Sequence, residues 1–260
     1  MIIKTFKSKV YRSNCYLVGS EESNECMIID PSVKAKTILA YADEMGMSIS
    51  LIVVTHFHPD HITTLAEIKR VTGADFVMHR AEGRGIHAAI IRRAGLLLTR
   101  SSQHQPRPDW ALSGGEQINL GELRFNIIHT PGHTPGSICL SGHGVVFTGD
   151  TLFHRSIGFA NRALCKTGMA GFSFPLLKTS IVTKLLVLPD GTRVLPGHGI
   201  ETTVESLRQQ PTLQTILSEC YQPTGLPKLL SGYFLAKLSH IWRKRQVPSC
   251  EEHPIAQTGN

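Results

Sequence analysis

The apolar positions of this chain follow two periods. Ile2–Phe6, Cys15–Val18 and Met27–Ile29 are short apolar runs separated by polar stretches such as Gly19-Ser20-Glu21-Glu22-Ser23-Asn24, and they predict strands. Asp30-Pro31-Ser32 then breaks the chain and offers helix caps. From Ala35 to Met45 the spacing becomes helical, with Ile38, Leu39, Ala42 and Met45 on one side and Gly46 as a stop. Leu51-Ile52-Val53-Val54 is apolar throughout, the pattern of a strand covered on both faces. A helix is predicted over Ile62–Val71 and a strand over Asp75–Met78. Ile86–Leu98 reads as a very apolar helix, and a loop containing Pro106 and Pro108 runs to Trp110. Strands return at Gln117–Leu120, Leu123–Ile128, Ser137–Leu140 and Val145–Thr148, the first two joined by a hairpin turn at Asn119-Leu120-Gly121-Glu122. A helix over Phe174–Val187, a strand over Thr192–Leu195 and a helix over Thr202–Gln209 close the pattern. Strand runs in both halves, each followed by helices, imply two packed sheets with helices outside.

Composition narrows the class. Of 260 residues, 41% are hydrophobic and 18% charged, which suits one large packed domain with a small appendage and excludes disorder throughout. The main domain is expected over residues 1–210. Residues 211–260 are expected to form a C-terminal extension with one helix, Gly232–Arg245, whose Phe234, Leu238, Ile241 and Trp242 pack on that domain. The net charge of +7 is not interleaved with aromatic residues, so a nucleic-acid partner is not expected. No apolar run reaches the roughly 18 residues that span a bilayer. The segment Met1-Ile2-Ile3-Lys4-Thr5-Phe6-Lys7 has no signal-peptide core, so a soluble cytoplasmic protein without a membrane partner is expected. The six cysteines (Cys15, Cys26, Cys139, Cys165, Cys220, Cys250) are scattered, form no CxxC and are read as reduced thiols.

The chemistry is concentrated at strand ends. Thr55-His56-Phe57-His58-Pro59-Asp60-His61 directly follows the apolar run at 51–54. The strand delivers the backbone rigidly, and the turn lets imidazole and carboxylate groups converge, a donor set suited to zinc, iron or manganese. Three further clusters share the form strand, Gly or Pro, then a ligand-type residue. They are Thr130-Pro131-Gly132-His133, Thr148-Gly149-Asp150-Thr151 and Leu195-Pro196-Gly197-His198-Gly199. His129 and His154 lie beside these motifs and are candidates for supporting roles. Cys139 and Cys165 have no activating neighbour in sequence.

With these motifs in this order, residues 1–210 resemble the metallo-β-lactamase superfamily, and within it the glyoxalase II-like hydrolases. The resemblance implies an α/β fold, an αββα sandwich with the site at one edge between two sheets. It implies two divalent metal ions, with zinc expected and iron or manganese as alternatives. His56, His58 and His133 would hold the first; Asp60, His61 and His198 would hold the second; Asp150 would bridge them. It further implies a metal-bound hydroxide, held by Asp150 with Asp60 beside it, attacking the carbonyl of a thioester or related acyl compound. A mono-iron persulfide dioxygenase and a lactonase or phosphodiesterase of the same superfamily are the alternatives. Two departures stand out: Thr63-Thr64 replaces a Gly-Gly pair, and Gly158-Phe159-Ala160-Asn161 replaces Gly-Arg-x-Asp, so the acidic residue that supports the metal ligands there is Asn161 or missing.

Residues 84–108 contain five arginines (Arg84, Arg92, Arg93, Arg100, Arg107) and no Asp or Glu. Family members place this segment beside the site mouth. It is therefore expected to form a rim in which Arg92, Arg93 and Arg107 bind an anionic thioester, with glutathione, coenzyme A or a carrier protein as leaving group.

Overall fold

The computed structural model describes residues 1–82, 105–158 and 173–218. One compact unit spans Met1–Tyr221, and a second, Gln222–Asn260, lies outside the described residues, as does the helix expected at Gly232–Arg245.

The first sheet holds β1 (Ile2–Lys7), β2 (Asn14–Gly19), β3 (Glu25–Ile29), β4 (Ser48–Val54), β5 (Asp75–His79) and β6 (Trp110–Leu112), neighbours in that order. β1, β2 and β3 pair antiparallel; β3, β4, β5 and β6 pair parallel. The second sheet holds β7 (Gln117–Leu120), β8 (Leu123–His129), β9 (Ile138–Gly142), β10 (Val145–Gly149), β11 (Arg193–Pro196) and β12 (Thr202–Thr203), again in order. Within it only β10 and β11 pair parallel. The helices are α1 (Ala35–Glu44), α2 (Leu65–Thr72), α3 (Phe174–Ser180, widening into a π turn over Ile181–Leu185), α4 (Val204–Arg208) and α5 (Pro211–Ser218).

Strand periodicity sorts the side chains into three apolar layers. In β2, Cys15 and Leu17 face α1 and α2, whereas Tyr16 and Val18 face the second sheet; in β4, Ile52 and Val54 go one way, Leu51 and Val53 the other. Both faces of these strands are covered, which is why they read as continuous apolar runs. The layer between the sheets is filled by Phe125, Phe147 and Tyr16, with Phe147 stacked edge-on to Tyr16 at 5.2 Å. A third layer packs Leu177, Ile181, Leu185 and Leu207 on the outer face of the second sheet. The result is an αββα sandwich.

Most predicted elements stand where the spacing puts them, and the differences have local causes. The helix expected from Ile62 starts at Leu65, because Pro59-Asp60-His61 closes a 3₁₀ turn first and the Thr64 N–H is held by Pro31 O at 3.0 Å. The expected helix over Thr202–Gln209 gives its first two residues to β12, since Thr202 and Thr203 pair with Val194 and Arg193 and the Thr203 hydroxyl then caps α4. β6 lies at the end of an expected loop and forms by pairing Trp110 with Val77. α5, with Leu213 fully buried in the third layer, arises within the stretch read as the C-terminal extension. The Ile86–Leu98 helix lies outside the described residues. Among the described residues no helix is long and apolar enough to cross a membrane.

Candidate metal centre

All the motifs reach one edge of the sandwich. β3, β4 and β5 run parallel, so the residues after each emerge together. In the second sheet, β8 and β10 are both antiparallel to β9, and β11 is parallel to β10, so their C-terminal ends share one side too. Backbone bonds join the two edges, Ile138 N–H to Thr55 O at 3.0 Å and Asn14 N–H to Gly197 O at 2.7 Å, and within the second sheet Gly197 N–H bonds Gly149 O at 2.7 Å.

The seven expected ligand residues form two donor clusters with one carboxylate between them. In the first, donor atoms of His56, His58 and His133 all lie within 4.8 Å of one another. His58 Nδ1 and His133 Nε2 are 3.1 Å apart. In the second, His198 Nε2 stands 3.3 Å from His61 Nε2 and 3.2 Å from Asp60 Oδ2. Asp150 faces both clusters: Oδ2 is 3.7 Å from His133 Nε2 and 3.6 Å from His198 Nε2, and Oδ1 is 3.4 Å from His61 Nε2. Donors about 2.0–2.1 Å from a tetrahedral zinc ion stand about 3.3–3.4 Å apart, so these spacings match a metal's coordination edges. Two buried atoms, His56 Nε2 and Asp150 Oδ1, have no hydrogen-bond partner and are aimed into the gap, an arrangement a cation satisfies. The Pro-Gly-His turn is part of the cradle: a Cβ on Gly197 would overlap Asp150 Oδ1 and meet His61 Cε1 at 2.8 Å. The residues present therefore fit divalent metal.

Electrostatics divide the site. Burial, reinforced by His133, pushes His58 down to about 3, and burial holds His56 well below the usual histidine range, so these two side chains are neutral imidazoles. His61 goes the other way: burial opposes its charge, but Asp150 and Asp30 outweigh burial and raise it well above the usual value. The Asp150 carboxyl, despite burial, is held well below its usual range by His61, His56 and His133. The first cluster is deep, with His56 and His133 buried; Asp60 and His198 are 28% and 29% exposed and mark the open side. The Phe153 ring stands edge-on to His198 at 6.1 Å on that side.

The sequence pattern did not single out Asp30. It follows β3 with φ of +54°, is buried, and accepts the Thr55 N–H at 2.8 Å, the Thr55 hydroxyl at 2.7 Å and His61 Nδ1–H at 2.9 Å. Because the Thr55 hydroxyl donates to Asp30, its oxygen accepts from His56 Nδ1 at 3.1 Å. One carboxylate thus fixes the tautomers of both His56 and His61 with Nε2 turned to the gap. An acidic support exists, although Phe159 and Asn161 lie outside the described residues. Thr63-Thr64 needs no glycine: the Thr64 hydroxyl bonds Val33 O at 2.8 Å and Pro31 O at 3.1 Å.

The remaining candidates separate from the centre. His129 stacks on His79 at 4.0 Å and bonds Pro135 O at 2.8 Å, which ties it to the loop of His133. Cys139 is buried and burial pushes its thiol up to about 11, so it offers no thiolate. Arg107 is exposed; two residues before it, Gln105 reaches Ile62 O, next to His61, at 3.4 Å. Arg92, Arg93 and Cys165 lie outside the described residues.

The family model of the metallo-beta-lactamase superfamily matches residues 9–198, from the turn before β2 to the last histidine of the centre. The chain belongs to this superfamily. The probable metallo-hydrolase YqgX of Bacillus subtilis is 33% identical over 202 residues, covering 76% of this chain and 90% of its own. The hydroxyacylglutathione hydrolase GloC of Haemophilus influenzae is 29% identical over 218 residues, covering 83% and 99%. A solved structure of TTHA1623 in a di-iron-bound form superimposes with a TM-score of 0.65 at 27% identity, covering 81% of this chain and 99% of that one. The superfamily consists mostly of metal-dependent hydrolases, and the αββα fold and divalent-metal donors found here accord with that.

Proposed function

We propose that this protein is a hydrolase of thioesters or related acyl compounds with two metal positions. His56, His58 and His133 would hold the first position, Asp60, His61 and His198 the second, and Asp150 would serve both. The observation that carries the reading is Asp150, whose two oxygens face His133 and His198 on one side and His61 on the other at 3.4–3.7 Å. A mono-iron centre would leave the cluster of Asp60, His61 and His198 without use. Two divalent cations bound there supply Lewis acidity toward a carbonyl oxygen and lower the pKa of bound water.

The chain's own residues do the rest. Asp30 keeps His61 and, through Thr55, His56 turned inward, so neither of these two imidazoles needs to reorient on binding. Asp60 is held below the usual carboxylate range: burial pushes it up, but the hydrogen bond to His198 and the neighbouring His61 outweigh that, so it is an anion at the open side. Substrate approaches over Asp60 and His198, with the Phe153 ring as an apolar wall. Among the described cysteines, Cys15, Cys26 and Cys139 are buried thiols pushed up in pKa by burial, which removes these three as nucleophiles. The likeness to a hydroxyacylglutathione hydrolase supports a thioester with an anionic thiol leaving group, and Arg107 supplies an exposed cation on the segment bound beside Ile62.

The test is metal analysis of the purified protein, zinc, iron and manganese included, alongside a panel of thioesters, lactones and phosphodiesters and oxygen uptake with glutathione persulfide. Two metal equivalents and thioester turnover, with ¹⁸O from water entering the free acid, are expected. One iron with oxygen uptake, or an acyl group trapped on a side chain, would overturn the reading.

A further inference from the structure

Glu82 stands at the turn after β5, is 2% exposed and takes no part in either donor cluster. Its Oε2 accepts the Phe57 N–H at 2.8 Å. Its Oε1 accepts the Thr134 hydroxyl at 2.5 Å and the Gly136 N–H at 2.8 Å. Phe57 lies between His56 and His58, and Thr134 follows His133. A single buried side chain therefore ties the loop after β4, in one sheet, to the loop after β8, in the other. These two loops carry all three donors of the first cluster.

The approach is built in from both sides. A Cβ at position 136 would meet Glu82 Cγ and Oε1 at 2.8 Å and its N at 2.9 Å, so the glycine lets the second loop come this near. On the first loop the Phe57 ring is fully buried in the layer under α1 and α2. With its side chain anchored there and its N–H held by Glu82, Phe57 fixes the segment from which His56 and His58 project. The second cluster has its own support: His61 is held by Asp30, and the turn of His198 is held by Asn14 and Tyr16, both bonded to Pro196 O at 2.8 and 2.6 Å.

We propose that Glu82 is a positioning residue that sets the distance between the His56–His58 loop and the His133 loop, and so governs the affinity of the first metal position selectively over the second. This rests on the two-position reading above. Metal-ligand donors must converge within a few tenths of an ångström, and partners behind the ligands typically change metal affinity about 10–100-fold when removed. Glu82→Gln keeps the volume but turns an amide N–H₂ onto at least one of the three donors that the carboxylate accepts.

The test isolates each position. In a His198→Ala background, bound Co(II) reports the first position; in a His133→Ala background it reports the second. Affinity is read by competition with a chromophoric chelator and geometry by the visible Co(II) spectrum, with circular dichroism confirming the fold. Glu82→Gln should weaken the first position about 10–100-fold and alter its spectrum, leaving the second unchanged. Thr134→Val, which removes one of the two bonds from the His133 loop, should shift the first position in the same direction by less. It also supplies the answer if Glu82→Gln does not fold. Equal losses at both positions, or an unchanged first position in Glu82→Gln or, where only that variant folds, in Thr134→Val, would overturn the proposal. A parent that binds no Co(II) in either background would overturn the two-position reading itself.

Discussion

Asp30→Asn removes one charge and almost no volume. Asp30 accepts from Thr55 N–H, from the Thr55 hydroxyl and from His61 Nδ1–H at 2.8, 2.7 and 2.9 Å, all within the buried base of the site. An asparagine has one acceptor oxygen. If that oxygen keeps Thr55 N–H, the amide nitrogen points a donor at the Thr55 hydroxyl and at His61. A hydrogen bond to a charged group is worth about 1.5–3 kcal/mol. A tenfold change is about 1.4 kcal/mol, so the expected loss of metal affinity at the His61 position is about 10–100-fold. The pH dependence follows from His61. Burial opposes its charge, but Asp150 and Asp30 raise it well above the usual value, so the metal-free side chain carries a proton at neutral pH. Metal must expel that proton, so affinity rises with pH up to the raised pKa and is flat above it. Removing Asp30 lowers that pKa and with it the proton's competition. The gap between wild type and variant should therefore be widest in alkali and narrow toward acid. Chelator competition across pH, with proton release followed by a weakly buffered indicator, measures both. A gap that is constant or widens toward acid, or wild-type affinity in the variant, would refute the assignment of Asp30 as the support of His61.

Further outcomes are expected. His58→Ala and Asp150→Ala should each abolish hydrolysis and lower the metal content, whereas His143→Ala, at an exposed residue that accepts the Arg124 N–H and lies beside the Phe125 ring, should keep both. Gly197→Ala should collapse kcat/KM with the circular dichroism spectrum preserved, because its Cβ would occupy the space of Asp150 Oδ1 and press on His61. Phe147→Ala, in the layer between the sheets, should cost about 3–5 kcal/mol in urea denaturation.

The sequence by itself determined most of the described elements and the candidate donor types. β2, β4 and β10 are legible because strands covered on both faces must be apolar throughout, and the His56–His61 motif is legible because all its members sit within one turn after such a strand. The strand-then-turn form of the His133, Asp150 and His198 motifs is likewise local. What supports these ligands was not legible. Asp30 bonds residues 25 and 31 positions away, and Glu82 bonds residues 25, 52 and 54 positions away. In the sequence Asp30 reads as a chain break before a helix, and Glu82 belongs to no motif. A carboxylate's role depends on which donors surround it, and those donors come from loops that meet only when the two sheets pack. Pairing decided β6 for the same reason, since Trp110–Leu112 has no strand pattern apart from the edge of β5 beside it. The tertiary structure alone decided that four motifs become two clusters, because Asp150 faces both only once β10 lies between β9 and β11 with its C-terminal end turned toward β4.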